Sequence, residues 1–347
     1  MNEIASFCHS FKKDFTPRIQ DVRQPVRCWS EKDVLNGKVV NANVIILRTR
    51  GCSWAMASGC TMCGYFNDSM FTAISEQDLW SQFEKVMKSY KGEKIVKLFT
   101  SGSFLDPHEI PVPVRYKILS VLTERAEKIS VESRPEYVLE KNLADIKKIV
   151  SPKEFEIGIG LETSNDFVRE KTINKGFTFN DYKKAATLLK KHQMNVKTYV
   201  LMKPPFLTEK ESLDDCIRTI KDITLYTDLI SLNPTNVQRH TVVEYLWKRN
   251  QYRPPWLWSI VEFLQQSKNI TDAFVKCDVV GGGSIRGAHN CGTCDRKVLN
   301  AIEDFSLLQK HDALNNLTCD CKEKWFDQLD LENLSFGSMV DFSRWKP

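Results

Sequence analysis

The sequence predicts an α/β fold, in which a parallel sheet is partly or fully closed into a (β/α) barrel and a small metal-stapled region follows. From residue 43 onward, short apolar runs alternate with helical patterns, as repeated strand–helix units do. Several runs lack the polar alternation of a half-exposed strand, which is typical of strands covered on both faces. Polar segments follow the runs, at the strand ends where such barrels carry their chemistry.

Each element has a local signal. The strand-like runs are rich in β-branched or aromatic residues and comprise Asn43–Leu47, Ile95–Thr100, Ile129–Glu132, Phe155–Leu161, Val196–Met202 and Leu229–Leu232. Helices are predicted over residues 75–91, 111–127, 136–149, 164–174, 179–192 and 208–222. Ser75 and Thr208 begin two of them, each followed three residues later by a carboxylate. The chain divides into a helical and turn-like cap (1–40), the barrel (41–240) and a C-terminal region with a cysteine-rich site (241–347).

The composition is that of an ordinary globular protein. Of 347 residues, 42% are hydrophobic and 27% charged, which excludes a disordered or fibrous chain. We expect a cytoplasmic protein without a membrane partner, because no apolar run is long enough to span a bilayer and no signal pattern begins the chain. The net charge of +5 permits a polyanionic partner. Eleven cysteines without an export signal indicate metal binding rather than disulfides.

Three cysteines lie on one loop directly after the first predicted strand. Cys52, Cys60 and Cys63 have the spacing Cys-x7-Cys-x2-Cys. Three thiolates can hold three irons of a 4Fe–4S cluster and leave the fourth iron open to a substrate, whereas four cysteine ligands suit electron transfer. A structural zinc site with a fourth ligand elsewhere in the chain is the alternative.

These cysteines, with three downstream segments, resemble the radical S-adenosylmethionine (SAM) superfamily. The segments are Ser101-Gly102-Ser103, Glu132-Ser133-Arg134-Pro135 and Gly160-Leu161-Glu162-Thr163 with Asn174-Lys175-Gly176 after it. The resemblance implies a 4Fe–4S cluster whose open iron is chelated by SAM, although the gap between the first two cysteines is longer than the commonest family spacing. It assigns SAM contacts to Met62, Gly64, Tyr65, Ser101, Gly102, Ser103, Glu132, Arg134 and Glu162. A salt bridge at the barrel rim is the alternative for Arg134.

The amino-acid sequence from Gly51 to Tyr65 is similar to that of a narrower family, the radical-SAM subunits of archaeosine synthase. That family acts on a D-loop base of tRNA, a 7-cyano-7-deazaguanine to which a partner subunit has joined lysine. The resemblance implies a lyase-type reaction: reductive cleavage of SAM yields a 5′-deoxyadenosyl radical, which takes a hydrogen from the lysine carbon beside the amidine nitrogen. The C–N bond then breaks. The implied partners are tRNA, the lysine-transferring subunit and an electron donor such as a reductase, flavodoxin or ferredoxin.

A second metal site is predicted near the C-terminus. Cys291, Cys294, Cys319 and Cys321 form a Cys-x2-Cys and a Cys-x-Cys pair, four soft ligands that suit tetrahedral zinc. His289 or Cys277 is an alternative ligand, an auxiliary Fe–S cluster is an alternative occupant, and buried unpaired thiols are a third interpretation. A zinc ion would explain how this loop-rich segment folds.

The remaining hypotheses concern the substrate and the function class. Lys203, Asn233 and Asn236 follow predicted strands and are candidate partners for the substrate's α-amino and α-carboxylate groups. Residues 247–256 interleave basic and aromatic side chains, which indicates either RNA contacts or an amphipathic helix with buried tryptophans. Two other functions stay open: a methylthiolase or sulfur-inserting enzyme with an auxiliary cluster, and a non-catalytic zinc- and RNA-binding protein.

Overall fold

The computed structural model describes residues 3–12, 15 and 20–334. Within them, one sheet has eight strands in the order β1-β2-β3-β4-β5-β6-β7-β8, so each strand lies beside the one before it in the chain. The strands are β1 Arg27–Leu35, β2 Lys38–Ile46, β3 Ile95–Phe99, β4 Lys128–Glu132, β5 Glu154–Glu162, β6 Asn195–Met202, β7 Leu229–Pro234 and β8 Phe274–Cys277. β1 is antiparallel to β2, and the six other pairs are parallel.

The helices connect the strands and cover the outside of the sheet. Up to β6 they are α1 Glu3–Ser10, α2 Ser53–Ala57, α3 Glu76–Ser89, α4 Val112–Arg125, α5 Glu140–Val150, α6 Asp166–Val168 with a π turn Arg169–Ile173, and α7 Phe179–Lys191. After β6 they are α8 Glu209–Ile223, α9 Val242–Trp247, α10 Leu257–Ser267, α11 Asp295–Leu308, α12 Asp312–Asn315 and α13 Cys321–Leu334. Short 3-10 turns cover Tyr65–Asp68 and Pro135–Tyr137.

The predicted strand–helix alternation is confirmed from β2 to α8. The Ser75 hydroxyl accepts a hydrogen bond from the Asp78 N–H, and Thr208 forms a capping box with Glu211, so both predicted helix starts are correct. Each central strand is buried on both faces; β3, for example, has four buried residues and one half-buried residue. This burial explains why the strands lack polar alternation.

Two strands were not predicted. Residues 27–35 form β1 rather than helix or turn, because they pair along their whole length with β2. β8 extends the sheet beyond residue 240 by pairing with β7. The division of the chain into cap, barrel and C-terminal region remains a proposal.

The sheet is curled, so that side chains from its two edges meet. Lys276 on β8 and Lys97 on β3 both form ion pairs with Asp33 on β1, and the Lys276–Asp33 pair has an N–O distance of 3.8 Å. Because β1 and β8 are the first and last strands in the sheet order, this contact requires a nearly closed barrel. The two edges are joined by side chains, and the described residues show no ladder between them.

The interior of the barrel is polar toward the amino ends of its strands. Lys97, Lys128, Lys197 and Lys276 are all at least nine-tenths buried and line a cavity of about 190 Å³. Lys128 pairs with Glu156 at 2.7 Å, and similar pairs balance most of this buried charge. The apolar core lies instead between the sheet and its helices, where Ile45, Leu98 and their neighbours are fully buried.

No helix within the described ranges combines the length and the apolar character that a bilayer crossing requires. The cytoplasmic location stays a prediction.

Candidate functional site

The three cysteines lie on a loop at the carboxyl end of β2, hereafter the cluster loop (residues 48–65). The loop begins with Arg48, whose N–H donates to Gln82 Oε1 at 2.8 Å and whose carbonyl accepts from Gln82 Nε2 at 2.9 Å. Gln82 is fully buried on α3, so both of its bonds act in a water-free environment. The start of the loop is thereby fixed to the barrel wall.

Helix α2 fills the long gap between the first two cysteines. It lies between Cys52 and Cys60 and accounts for five of the intervening residues. Its Trp54 donates an indole hydrogen bond to the carbonyl of Asn174 at 2.8 Å and packs against Gly176, where a Cβ would meet the Trp54 ring at 2.6 Å. The seven-residue spacing is therefore a structured insertion.

Two segments hold the far side of the cluster loop. After β5, Asn174 donates through Nδ2 to the Gly59 carbonyl at 2.7 Å, and the Thr61 N–H donates to the Ile173 carbonyl at 3.0 Å. From the N-terminal segment, Lys12 Nζ donates to the carbonyls of residues 55 and 58 at 2.7 and 2.8 Å. These contacts join parts of the chain that are more than forty residues apart.

The three thiols interact electrostatically. Burial, and then the negative charge of Cys60, raise the pKa of Cys63 to about 12. Burial likewise raises the pKa of Cys52, while the positive charge of Arg134 opposes the rise. Thiols bind iron as thiolates, so a cationic iron centre would relieve this repulsion. The donor set fits a cluster held by three thiolates.

The turn after β3 packs closely against Cys52, the first of the three cysteines on the cluster loop. A Cβ on Gly102 would lie 2.6 Å from the Cys52 Cα and 2.6 Å from Glu109 Oε2, so only glycine fits there. Glu109 accepts hydrogen bonds from Thr49 Oγ1 at 2.6 Å and from the Ser103 N–H at 2.5 Å. Burial raises the pKa of Glu109 to about 7. This carboxyl group connects the cluster loop to the turn.

The two serines of that turn have different environments. Ser103 is fully buried, and its Oγ accepts a hydrogen bond from the Arg134 N–H at 3.0 Å, so its hydroxyl supports the arginine backbone. Ser101 is half-buried and donates through Oγ to the Tyr65 carbonyl at 3.3 Å. Of the two, only the Ser101 side chain is partly accessible.

Arg134 lies beside the cysteines at the rim. Its Nε contacts Glu136 at 2.5 Å and its Nη1 donates to the Lys175 carbonyl at 3.0 Å. The guanidinium carbon lies 5.4 Å from the centre of the Trp54 ring, and its charge acts on both Cys52 and Cys60. The rim salt bridge that the sequence suggested for Arg134 is present, and the assignment of Arg134 to SAM stays a prediction.

Two carboxylates from neighbouring strands face the mouth of the barrel. Glu132 accepts a hydrogen bond from the Tyr199 hydroxyl. Glu162 has a left-handed backbone with φ of 70° and contacts Lys175 Nζ at 2.5 Å. Despite the opposing effect of burial, Glu162 and then Cys60 hold the pKa of Lys175 above its ordinary value. Lys175 is therefore a second cation beside the thiols.

The end of the cluster loop packs against β6 and α9. Met62 contacts two apolar groups, one containing Leu201 and the other Val237. The Gly64 N–H donates to Gln238 Oε1 at 2.5 Å, and a Cβ on Gly64 would lie 2.7 Å from the Gln238 Cβ. Tyr65 is 59% exposed. Tyr65 is therefore the most accessible of the three residues assigned to SAM on this part of the loop.

The three predicted substrate residues lie at or just beyond the carboxyl ends of β6 and β7. Lys203 Nζ is buried and pairs with Glu209 at 2.7 Å. Asn233 accepts from Ser231 Oγ at 3.3 Å, and Asn236 accepts from Gln238 Nε2 at 3.0 Å. Their polar groups therefore have partners within the protein, and their role in substrate binding stays a prediction.

The side chains of the four C-terminal cysteines lie close together. Their Sγ atoms all lie within 4.8 Å of one another, with Sγ–Sγ distances of 3.9 Å for Cys291–Cys294, 3.7 Å for Cys291–Cys319 and 3.6 Å for Cys294–Cys321. Trp258 Nε1 donates to the Cys321 Sγ at 3.3 Å. In the described part of the chain, neither of the alternative ligands, His289 and Cys277, joins this group.

Helix α9, which leads into the predicted basic and aromatic segment, lies beside the cluster loop. The N–H of Val243, on α9, donates to the Thr61 carbonyl at 3.3 Å. The Arg249 guanidinium stacks on the Tyr245 ring at 3.6 Å, and that of Arg253 stacks on the Trp256 ring at 4.0 Å. Arg249 is exposed, whereas Trp256 is half-buried and Trp258 fully buried. Helix α9 ends at Trp247, so the segment is not the amphipathic helix of the alternative interpretation. Its two tryptophans are half-buried, and Lys248 and Arg249 form an exposed basic rim.

Several residues of the site were not predicted. No local sequence pattern indicates a role for Lys12 or Glu109 in the site, because their partners lie far away in the sequence. Lys197 and Tyr199 did have one, because a lysine within an otherwise buried strand indicates a side chain that faces the barrel interior. Lys175 lies in a segment that supported the family resemblance, although no role followed from it.

Comparisons with known proteins find relatives of this chain. The model of the radical SAM superfamily matches residues 46–219. The chain is 44% identical to the archaeosine synthase subunit beta of Methanosarcina acetivorans, over 91% of this chain and 93% of that protein. It is 39% identical to the subunit of the same name from Thermococcus kodakarensis, over 86% and 94%. Among solved structures, Elp3 from Methanocaldococcus infernus is similar with a TM-score of 0.48 and 17% identity, over 76% of this chain and 63% of that one.

Proposed function

The chain belongs to the radical SAM superfamily, in the family of the archaeosine synthase beta subunits, and we propose that it completes archaeosine in tRNA. The proposed substrate is a D-loop 7-deazaguanine base to which a partner subunit has joined lysine. The reaction breaks the lysine C–N bond and leaves the amidine, which makes the enzyme a lyase. The proposal depends on the 44% identity with the Methanosarcina relative over 91% of this chain.

The proposal assigns particular residues of the site to the cofactors. Cys52, Cys60 and Cys63 would hold a 4Fe–4S cluster, and the SAM contacts are proposed at the strand ends around Arg134 and Glu162. When bound, the cluster and SAM supply the one-electron chemistry that removes a hydrogen atom from the substrate. A flavodoxin, a ferredoxin or a reductase would deliver the electron. The protein's task is to orient these groups and to exclude water.

Two cations lie in that arrangement, and a role in binding SAM is proposed for one of them. Arg134 and Lys175 lie beside the cysteine thiols, as their mutual pKa effects indicate. A carboxylate of SAM is the kind of anion that a guanidinium binds through charge-assisted hydrogen bonds. The rings of Trp54 and Phe177 lie 5.4 and 5.3 Å from the guanidinium carbon of Arg134 and restrict its position. Arg134 is therefore proposed as the SAM-orienting cation.

The exposed basic rim suits tRNA. Lys248 and Arg249 are exposed next to α9, which is hydrogen-bonded to the cluster loop. Lysine and arginine side chains at such positions contact phosphates and position a nucleic acid without reading its sequence. The net charge of +5 is consistent with this use. We therefore propose that tRNA lies across the mouth of the barrel.

Mass spectrometry of tRNA nucleosides tests the proposed reaction. In cells that lack this gene, we expect archaeosine to disappear and the lysine adduct of the 7-deazaguanine base to accumulate. The adduct accumulates because the partner subunit still transfers lysine while the next step is missing.

Complementation provides the control for this experiment. The wild-type gene restores archaeosine, and a gene carrying Cys60→Ser leaves the adduct in place. Normal archaeosine in the deletion strain would reject the proposed function.

The geometry of the four C-terminal thiols favours one metal ion over an auxiliary cluster. Zinc with Zn–S bonds of about 2.3 Å places tetrahedral sulfurs about 3.8 Å apart. The three observed Sγ–Sγ distances are 3.6 to 3.9 Å. Cysteines that each bind a different iron of a cluster lie further apart, because irons and sulfides separate them. We therefore propose zinc, which would hold α13 against the rest of the chain.

Elemental analysis of anaerobically purified protein distinguishes the two occupants. We expect about four irons and about one zinc per chain, and Cys319→Ser should remove the zinc and leave the iron. The matched control is Cys28→Ser, since Cys28 is exposed on β1 and lies outside the four-thiol group. Near eight irons without zinc would contradict this proposal and favour the sulfur-inserting alternative.

A further inference from the structure

Asp278 is a carboxylate at the mouth of the barrel, directly after β8. It follows Lys276 by two residues, so the two side chains lie on the same face of the sheet, and Lys276 lines the barrel cavity. Contacts confirm this direction, since Asp278 Oδ2 lies 3.4 Å from Lys276 Nζ and 3.4 Å from Ser231 Oγ. Asp278 therefore faces the barrel interior at the end of the strands where the cluster loop also lies.

The sheet register connects Asp278 to the cluster loop. Leu201 on β6 pairs with Asn233 on β7, and Asp278 lies beside Asn233, one residue after the last pair of β7 and β8. These three residues form one row across the inner face of the sheet. Leu201 packs in an apolar group with Cys60 and Met62, so one end of the row contacts the cluster loop.

The row of Asp278 is open to the mouth of the barrel. The contact between Tyr199 and Glu132 lies one row deeper, because Tyr199 precedes Leu201 by two residues on β6. Asp278 is not among the residues that line the cavity of about 190 Å³ toward the amino ends of the strands. Its side chain is 50% exposed, and Lys276 lies below it, so the exposed part faces the mouth. A substrate held at the cluster loop therefore approaches Asp278 without passing the tyrosine.

The hydrogen-bonding capacity of Asp278 is only partly used. Lys276 Nζ lies between Asp278 and Asp33, at 3.4 and 3.8 Å, so two carboxylates share it. The Ser231 hydroxyl has one hydrogen and lies within reach of both Asn233 Oδ1, at 3.3 Å, and Asp278. In the described part of the chain, no group donates a hydrogen bond to Asp278 Oδ1. That oxygen can accept one from a ligand.

The charges inside the barrel leave Asp278 in excess. Below it, four ammonium groups and four carboxylates interact, namely Lys97, Lys128, Lys197 and Lys276 with Glu31, Asp33, Glu154 and Glu156. These eight charges balance one another, so Asp278 adds a ninth that is negative. Burial would raise the pKa of Asp278, but the charges of the lysines below it lower that pKa, so the group is ionised at neutral pH. A cation from outside the protein would restore the balance.

The lysyl group of the proposed substrate carries such a cation. In an extended chain, its α-ammonium lies roughly 6 Å from the carbon beside the amidine. Asp278 lies two strand spacings, about 10 Å, from Leu201 at the cluster loop. We propose that Asp278 binds the α-ammonium of the lysyl group on the modified base and thereby selects lysine over chains that lack this group. This inference rests on the proposed function, and it places recognition beside Asn233, which the sequence had indicated.

The test compares two tRNA ligands that differ only in the α-amino group. One carries the amidine of lysine and the other the amidine of 6-aminohexanoate, and the Kd of each is measured by fluorescence anisotropy on reconstituted, SAM-loaded enzyme. The wild type is expected to bind the lysine form roughly 10- to 100-fold more tightly, which corresponds to one hydrogen bond between charged groups. Asp278→Asn and Asp278→Ala should reduce this ratio to about one, whereas Asp278→Glu, which keeps the charge, should retain part of it.

Measuring both ligands on every variant cancels a general loss of tRNA affinity. The matched control is Asp272→Asn, which should keep the wild-type ratio because Asp272 is exposed before the opposite end of β8. A wild-type ratio in Asp278→Asn and Asp278→Ala overturns the inference, as does a ratio of about one in the wild type or an equal loss in Asp272→Asn. A wild type that binds neither adduct more tightly than unmodified tRNA, and forms no 5′-deoxyadenosine with either, would instead overturn the proposed function.

Discussion

Cys60→Ser is expected to abolish SAM cleavage and to remove the iron cluster. The proposed cluster is held by only three thiolates, and a serine hydroxyl at neutral pH is a poor ligand for iron. Changes to groups that merely support a metal ligand cost roughly 10- to 100-fold, so the loss of a ligand should cost more than about 100-fold. The measurement is 5′-deoxyadenosine formed after anaerobic reconstitution and addition of dithionite.

Cys8→Ala is the matched control for this substitution. Cys8 is a fourth cysteine close to the cluster loop, since the charge of Cys60 contributes to its raised pKa after burial itself. It packs in an apolar group with Val237 and Val243, however, and its spacing is unrelated to the three cysteines. The control should retain the iron and the electron paramagnetic resonance change that SAM causes. Equal loss in both variants would mean that a fourth cysteine completes the cluster.

Gly102→Ala is expected to impair the enzyme although it adds only one methyl group. The new Cβ would lie 2.6 Å from the Cys52 Cα and 2.8 Å from its Cβ, so the cluster loop must move. Overpacking of this kind costs typically about 1–3 kcal/mol of stability. A displacement of about 1 Å at a reacting centre lowers rates roughly 100-fold, and we expect a loss of that order in SAM cleavage.

Gly37→Ala separates the steric effect from the effect of alanine itself. Gly37 has a φ of 72° and no atom within 4 Å of the place an added methyl group would take, so this substitution costs only backbone strain of about 1–2 kcal/mol. It lies in the turn between β1 and β2, distant in the fold from the cluster loop. We expect a lower melting temperature with normal SAM cleavage. Wild-type iron content and activity in Gly102→Ala would show that the loop tolerates the methyl group.

The sequence predicts the middle of the sheet well and its edges poorly. β3 to β7 are apolar because both faces are covered, and their predicted bounds differ from the observed ones by at most two residues. β1 was missed because Glu31, Lys32 and Asp33 interrupt its apolar pattern. A usable signal was present in Asn36-Gly37, both with positive φ, since this dipeptide is typical of a two-residue hairpin turn.

The site residues also fall into two groups, those that a local sequence pattern predicts and those that only distant contacts bring together. The cysteines and the strand-end residues follow from spacing and position, because those properties are local. The contacts of Lys12 with residues 55 and 58, and of Asn174 with Gly59, depend on how distant segments pack, which no local pattern contains. Lys203 shows the reverse case, since its position at a strand end was predicted and its ion pair with Glu209 was not.

The hydrogen bonds of Lys12 have a practical consequence for handling the protein. The Lys12 ammonium group donates hydrogen bonds to two peptide carbonyls of the loop that carries the three proposed iron ligands. We therefore expect that shortening the chain at its beginning, or fusing a purification tag there, disturbs the proposed iron site although all three cysteines are retained. Preparations altered at this end should be judged first by their iron content.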